Sequence, residues 1–179
     1  MRFRLARFED VAEIEHLIVA SARGLSLGYY TPQQIDSLVE HEFGADTQLI
    51  EDGTYYVCSI DGELAAAGGW SRRRTLHGGD RAKSAHDPLL DPAFDAARIR
   101  AFFVHPARAR RGLARELLAR CTADAAAAGF RRLTLVATLP GEPFYRASGF
   151  EVKRRFLLEM PNGVAAELSE MEREIAGER

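Results

Sequence analysis

A chain of 179 residues can hold one domain with a real core, and a net charge of -2 with 28% charged residues argues against nucleic acid as a partner. Its cysteines, Cys58 and Cys121, lie far apart within apolar patterns, as reduced core thiols do, and give no disulfide framework. No apolar run approaches membrane-spanning length and no secretory apolar segment opens the chain, so no membrane partner is expected and the setting is cytoplasmic.

In chain order, Arg2 to Ala6 alternates like an edge strand. Asp10 stands where it can cap a helix whose apolar residues Val11, Ile14, Leu17 and Ile18 repeat at helical spacing. Ser21 to Tyr30, with Gly24 and Gly28, reads as a loop. Thr31-Pro32-Gln33-Gln34 is a capping box with proline at the first helical position, and Ile35, Leu38 and Val39 give that helix its buried face. Tyr29 and Tyr30 either pack there or wall a cleft. Thr54 to Ile60 is a strand, Asp61-Gly62 a hairpin turn, and Glu63 to Trp70 the returning strand. Its small residues Ala65 to Gly69 admit a close backbone, helix or ligand. Trp70 reads as a core anchor or as part of an acceptor pocket.

Residues 71–97 are long for a connection within a domain, and such segments are usually functional or disordered. Arg72, Arg73, Arg74, His77, Arg81 and His86 make this segment basic, either as a solvated loop or as a site for an anionic acceptor. His77 and His86 lack a second ligand set at metal spacing, so no metal is expected. Arg98 to Val104 is a β-branched and aromatic strand, ended by His105-Pro106 because proline gives no N–H to a ladder. Strict alternation along it sets Arg100 on the face of Phe102, opposite Ile99 and Ala101. A charge on that face requires a partner or a wet cleft.

The next stretch carries the chemistry. Arg108, Ala109, Arg110, Arg111 and Gly112 form a basic turn that runs into a helix with Leu113, Leu117 and Cys121 four residues apart. The first turn of a helix has unpaired N–H groups and partial positive charge, and a glycine lets anionic oxygens come close. Strand, basic turn and helix suit a diphosphate, against the plainer reading of a solvated basic loop. Gly129 closes the helix in a left-handed cap, with Phe130 as its apolar follower. Arg131 to Thr138 is a strand that a helical crossover makes parallel to the Arg98–Val104 strand. After Pro140 to Pro143 come Phe144-Tyr145 and Gly149-Phe150, then a closing hairpin over Glu151 to Met160 and Val164 onward, turned at Pro161-Asn162-Gly163. The charged tail 172–179 is expected to fray.

Val104-His105-Pro106, the arginine-rich turn, Gly112-x-Ala114 and the helix resemble the acyl-CoA signature of the GNAT N-acetyltransferase superfamily, written Gln/Arg-x-x-Gly-x-Gly/Ala. Gly112 and Ala114 match its last fixed positions, while Ala109 departs from the first. Phe144-Tyr145-x-x-x-Gly149-Phe150 is similar to the second hallmark of that superfamily. The asparagine that many members carry after the preceding strand is replaced by Thr138-Leu139-Pro140.

The resemblance implies an α/β (α+β) fold spanning 1–179 as a single N-acetyltransferase-like domain. Its mixed, mostly antiparallel sheet has a splayed parallel central pair flanked by helices, with 71–97 inserted near the acceptor side. It further implies acetyl-CoA as co-substrate, direct transfer to a primary amine of a small molecule, and Tyr145 as general acid toward the departing thiolate. Phe102, Phe103 and Val104 would pair with the pantetheine arm, and Arg108, Ala109, Arg110, Arg111, Gly112, Leu113 and Ala114 would hold the diphosphate. Trp70, Arg72 and Arg100 are the acceptor-side candidates, and a cationic rim of arginines points to an amine bearing a carboxylate or phosphate. The base is open among His105, Glu142 and a water relay, because the Arg98–Val104 strand has no glutamate. Two other readings stand beside this one: a non-catalytic acyl-CoA sensor, and an acetyltransferase acting on a protein or peptide amine. A homodimer is left open.

Overall fold

The computed structural model describes residues 1–83 and 86–175. Strand β1 (Arg2–Leu5) leads to helices α1 (Val11–Leu25), α2 (Pro32–His41) and α3 (Thr47–Glu51), then to strands β2 (Tyr55–Ile60), β3 (Glu63–Ser71) and β4 (Ala97–Val104). Helix α4 (Leu113–Ala127), strand β5 (Arg132–Thr138), helix α5 (Glu142–Ala147) and strands β6 (Glu151–Glu159) and β7 (Ala165–Glu174) follow. The sheet order is β1-β2-β3-β4-β5-β7-β6, with β4 and β5 parallel and the other neighbours antiparallel. This is the mixed α+β sheet that the sequence implies. No helix among the described residues is long and apolar enough to cross a membrane.

Successive residues of β2 and β3 send their side chains to opposite faces, and each face has its own core. Val57 and Ala67 pack with Ile14, Leu17, Ile18 and Leu49 on the α1 and α3 side. Cys58 and Ala66 pack with Leu113 and Leu117 of α4 on the other. The four-residue apolar spacing of α4 continues through Cys121 and Ala125 into a larger cluster with Ile99, Leu133, Leu135, Tyr145 and Phe150. Gly129 ends α4 at φ 94°, and the Phe130 N–H returns to the Ala125 carbonyl, as the left-handed cap requires.

The capping box at Thr31 forms as expected, its hydroxyl accepting from Gln34 N–H while the Gln34 side chain accepts from Thr31 N–H. Three local expectations need correction. Ser21 to Leu25 continue α1, because Ser21 and Ala22 face the core and Gly24 stays helical where a Cβ would lie 2.3 Å from the Pro106 ring. Asp10 makes no cap bond to α1; its carboxylate holds both Arg4 nitrogens and the Arg7 N–H, in the 3-10 turn Phe8–Asp10. Finally, the tail is paired through Glu174, with Glu172 opposite Thr134 on one side and Glu151 on the other. Residues 176–179 lie outside the described residues.

Two irregularities open the middle of the sheet. β4 and β5 pair only at Ala97–Leu133 and Arg98–Thr134, and no further partners join them beyond. On its other side β4 carries an extra residue against β3: Ala67 faces Phe103 while Gly69 faces Arg100, so Ala101 and Phe102 oppose Gly68 alone. Ala101 takes φ 54° there, a left-handed value that a non-glycine residue adopts only when its surroundings impose it. The bulge reverses the alternation. Phe102 turns to the α4 side with Tyr145, and Ala101 and Phe103 pack on the α1 side.

Gly68 is shaped to this bulge, since a Cβ there would lie 2.6 Å from the Phe102 ring. Gly68→Ala should therefore destabilise the fold by about 1–3 kcal/mol through overpacking, read as a lower urea midpoint. A midpoint equal to that of the parent would show that the Phe102 ring moves freely.

Candidate active site

Where β4 and β5 part, a cleft of about 760 Å³ runs through the sheet. One wall is the second half of β4, Ala101 to Val104, and the facing wall is Val136 to Thr138 of β5. The floor at one end is the turn after β4. There Pro106–Arg108 form a 3-10 turn, Arg110 takes φ 64°, and Gly112 caps α4 at φ 82°. A Cβ at Gly112 would meet no atom within 4 Å, so the space above the first turn of α4 is open. The amides of Leu113, Ala114 and Arg115 precede the first intrahelical bond, which runs from Glu116 N–H to Gly112 O, and all three residues line the cleft.

Of the residues expected to hold a diphosphate, Arg108, Ala109, Arg110, Gly112, Leu113 and Ala114 line this cleft, and Arg111 does not. Arg111 points to solvent. Arg108 also reaches Asp61 at 3.4 Å, a largely exposed pair. Phe102, Phe103 and Val104 also line the cleft, and the bulge sends the two phenylalanine rings to opposite faces.

Tyr145 sits on α5 at the α4 side of the cleft, 8% exposed, with ring centroids of Phe144, Phe150 and Phe102 at 5.0, 5.7 and 6.3 Å. Burial among these rings pushes its phenol well above the usual tyrosine value, so it keeps its proton at neutral pH. Cys58 and Cys121 are buried and free, and burial raises both thiols, which leaves neither as a nucleophile.

The acceptor-side candidates fare differently. Trp70 is 4% exposed and packs edge-on to Phe130, 6.1 Å between centroids, in the α4-side core away from the cleft. It is a core anchor. Arg72 is exposed and outside the cleft lining. Arg73 is bound through Nε and Nη2 to Asp52 at 2.7 and 2.8 Å, and this pairing holds the Asp52 carboxyl below its usual range.

Arg100 lines the cleft but offers no free charge, being 4% exposed. Its Nη2 lies 2.9 Å from Asp46 Oδ2, its Nη1 donates to Thr75 O at 2.8 Å, and Nη2 donates to Gly78 O. Asp46 Oδ2 makes no aligned hydrogen bond, so that contact is chiefly coulombic. Burial lowers the Arg100 pKa, and Asp46 opposes the shift. Of the expected arginine rim, Arg73 and Arg100 are held in internal ion pairs, and Arg72 and Arg74 are exposed outside the cleft lining. The bulge explains the error, because it turns Arg100 away from the face of Phe102.

The candidate bases are also displaced. His105 lies at a smaller cavity with Ile60, Glu63 and Leu64, its Nδ1 accepting from Ala107 N–H at 3.2 Å. Glu142 is buried, and although burial raises its pKa, bonds from Ser169 and Arg146 outweigh that and keep it ionised. Its oxygens accept from Ser169 Oγ at 2.6 Å, Arg146 Nε at 2.8 Å and Arg155 Nη2 at 2.7 Å. It is outside the cleft lining.

Tyr29, Glu42, Phe43, Leu76 and His77 also line the cleft. Glu42 caps the end of α2, and His77 belongs to the 71–97 segment, 35 positions away, so no local pattern could pair them. That segment is stitched down rather than loose. Arg73 bridges to Leu89, Gly79 N–H donates to Glu42 O, Asp80 N–H donates to Ala45 O, and Lys83 pairs with Asp46. Residues 84 and 85 lie outside the described residues. No group of three or more potential metal ligands occurs among the described residues.

The sequence profile of the acetyltransferase (GNAT) family matches residues 20–150. A comparison with curated protein sequences finds no match. Among solved structures, the chain is similar to a GCN5-related N-acetyltransferase described as a class-II aminotransferase from Rhodopseudomonas palustris, with TM-score 0.72, 19% identity, and 97% and 94% of the two chains covered. It is similar to the PaiA N-acetyltransferase of Thermoplasma acidophilum in complex with coenzyme A, with TM-score 0.59, 13% identity and coverage of 97% and 98%. It also resembles the ribosomal-protein-alanine N-acetyltransferase of Brucella melitensis, with TM-score 0.63, 14% identity and coverage of 97% and 99%. At these identities the likeness speaks for the fold, and the profile match over most of the chain speaks for the family. The chain belongs to the GNAT acetyltransferase family, a family of acyltransferases.

Proposed function

We propose that this protein transfers the acetyl group of acetyl-CoA directly to the primary amine of a small molecule. The observation that carries the reading is the single cleft onto which the first turn of α4, the open edge of β4 and Tyr145 all face. The amides of Leu113 to Arg115 and the Arg108 and Arg110 side chains suit the diphosphate, by backbone donation, dipole and full charge together. The open β4 edge from Phe102 to Val104 suits the amide groups of the pantetheine arm. Coenzyme A bound to PaiA agrees with this donor.

In the reaction the neutral amine nitrogen attacks the thioester carbonyl, forming the C–N bond and a tetrahedral intermediate. Its collapse breaks the C–S bond, and the sulfur leaves as a thiolate. Tyr145 O–H supplies the proton that the sulfur takes up, and the proton shed by the new amide nitrogen restores the phenol through solvent. Holding amine and thioester in one cleft supplies much of the acceleration. A phenol with a raised pKa is a weak acid. It helps a thiolate that already leaves readily, so its loss should slow the reaction rather than abolish it.

The test is release of free CoA from acetyl-CoA with a panel of aminoalcohols, amino acids and diamines, alongside peptides with free amino termini. Amine-dependent release with small amines is the expected result; binding of acetyl-CoA with no release would indicate a sensor, and release with peptides alone a protein acceptor. Tyr145→Phe should lower kcat at least about tenfold while leaving the Kd for acetyl-CoA unchanged. Unchanged kcat would reduce Tyr145 to a packing residue.

A further inference from the structure

The acetyltransfer reading leaves one proton unassigned. An alkylamine is protonated at neutral pH, and only its neutral form attacks, so something must take that proton at the acceptor end of the cleft. The residues favoured by sequence are elsewhere: His105 faces a different cavity, and the Glu142 oxygens are occupied by Ser169, Arg146 and Arg155.

His77 offers such a group. It lines the cleft and meets Glu42 at the end of α2, whereas Tyr145, on the same cleft, belongs to the α4-side core. Its Nδ1 lies 2.6 Å from Glu42 Oε1, and Glu42 is 7% exposed. A carboxylate at that distance accepts a hydrogen bond from Nδ1–H, which favours the tautomer protonated at Nδ1 and leaves the Nε2 lone pair as the ring's basic atom.

The arrangement is built by several independent contacts. Gly79 N–H donates to Glu42 O at 2.9 Å, so backbone as well as side chain joins the two segments. Gly78, at φ 87°, brings the chain so near that a Cβ would lie 3.3 Å from Glu42 Oε1. On the β6 side the His77 ring rests against Phe156, 6.0 Å between centroids. The charges around the pair are Arg100, held by Asp46, and Arg154, which lies over the outer part of Phe156 at 4.9 Å from its centroid.

We propose that His77 is the general base that takes the proton of the acceptor ammonium, with Glu42 as its positioning residue. This rests on the acetyltransfer reading and adds a role for the 71–97 segment, which delivers the imidazole. The ammonium N–H bond breaks, its electron pair stays on nitrogen for attack, and Nε2 carries the proton until it passes to solvent. Tyr145 and His77 then act within one cleft, one supplying a proton to sulfur and the other removing one from nitrogen.

The experiment compares the parent protein, His77→Gln and Glu42→Gln, using acetyl-CoA and the most active amine of the panel across the pH range. His77→Gln should lower kcat/KM at neutral pH by about a hundredfold, push the acidic limb of the profile up toward the titration of the amine itself, and leave the Kd for acetyl-CoA unchanged. Glu42→Gln should lower it by roughly tenfold and keep that limb. The decisive reading is at alkaline pH, where the amine is already neutral and His77→Gln should approach the parent rate. A loss that persists there assigns His77 to structure and overturns the proposal, as does a variant with the parent's neutral rate and profile. A parent protein that binds acetyl-CoA yet acetylates no amine overturns the transfer reading, and the base with it.

Discussion

Arg100→Ala should cost the fold about 3–5 kcal/mol, a large share of the stability of a domain this size. The guanidinium is almost fully buried and joins three separate pieces of chain: β4, Asp46 before α3, and the carbonyls of Thr75 and Gly78 in the 71–97 segment. Removing it leaves Asp46 buried beside Lys83 alone and takes the donors from two carbonyls. The expected result is a sharply lower urea midpoint, with Arg72→Ala, an exposed control, within about 0.5 kcal/mol of the parent. Because the segment carries His77, activity should fall together with stability, whichever amine is used. An Arg100→Ala protein as stable as its parent, with lost activity toward anionic amines only, would restore Arg100 to acceptor binding.

Gly112→Val should weaken acetyl-CoA binding by at least about tenfold without unfolding the protein. The position has φ 82°, a region that costs L-residues about 1–2 kcal/mol and β-branched ones more. No protein atom would meet the new Cβ, so the fold tolerates the side chain, whereas a diphosphate above the first turn of α4 does not. Isothermal titration of acetyl-CoA into Gly112→Val and into Ala109→Ser checks this, the serine variant binding like the parent. Equal affinity in all three would place the diphosphate elsewhere.

What the sequence made legible was local. The Asp61-Gly62 turn, both residues at positive φ, the Thr31 capping box, the α4 apolar spacing and the Gly129 cap each depend on neighbours within a few positions. The basic turn with Gly112 and the Phe144-Tyr145 motif were legible for the same reason, and the fold brings both to one cleft. What was hidden depends on pairing across distance. Helix α3 is five residues long, too short for periodicity to register. The facing of Arg100 follows from a single extra residue at Ala101, which only the β3 register reveals. The basic character of 71–97 suggested an anion site because the acids that neutralise it, Asp46, Asp52 and Glu42, lie well before it in the chain.

The brief pairing of β4 with β5 has a consequence for how the molecule comes apart. Across that seam the ladder holds two registered pairs, whereas the β5–β7 pair next to it is registered at seven positions. The sheet is continuous in topology but weakly welded, with β1 to β4 as one plate and β5 to β7 as the other. Opening at the seam would break few backbone bonds, so the two plates are joined chiefly by the core that packs Ile99 with Leu133 and Leu135. A ligand lying along both strands would act as a rivet there. It would raise resistance to unfolding by mass action, by about 2.7 kcal/mol at a hundredfold excess over Kd, and would do so chiefly at the joint. Substrate supply would then set not only how fast the protein works but how long its two plates stay together.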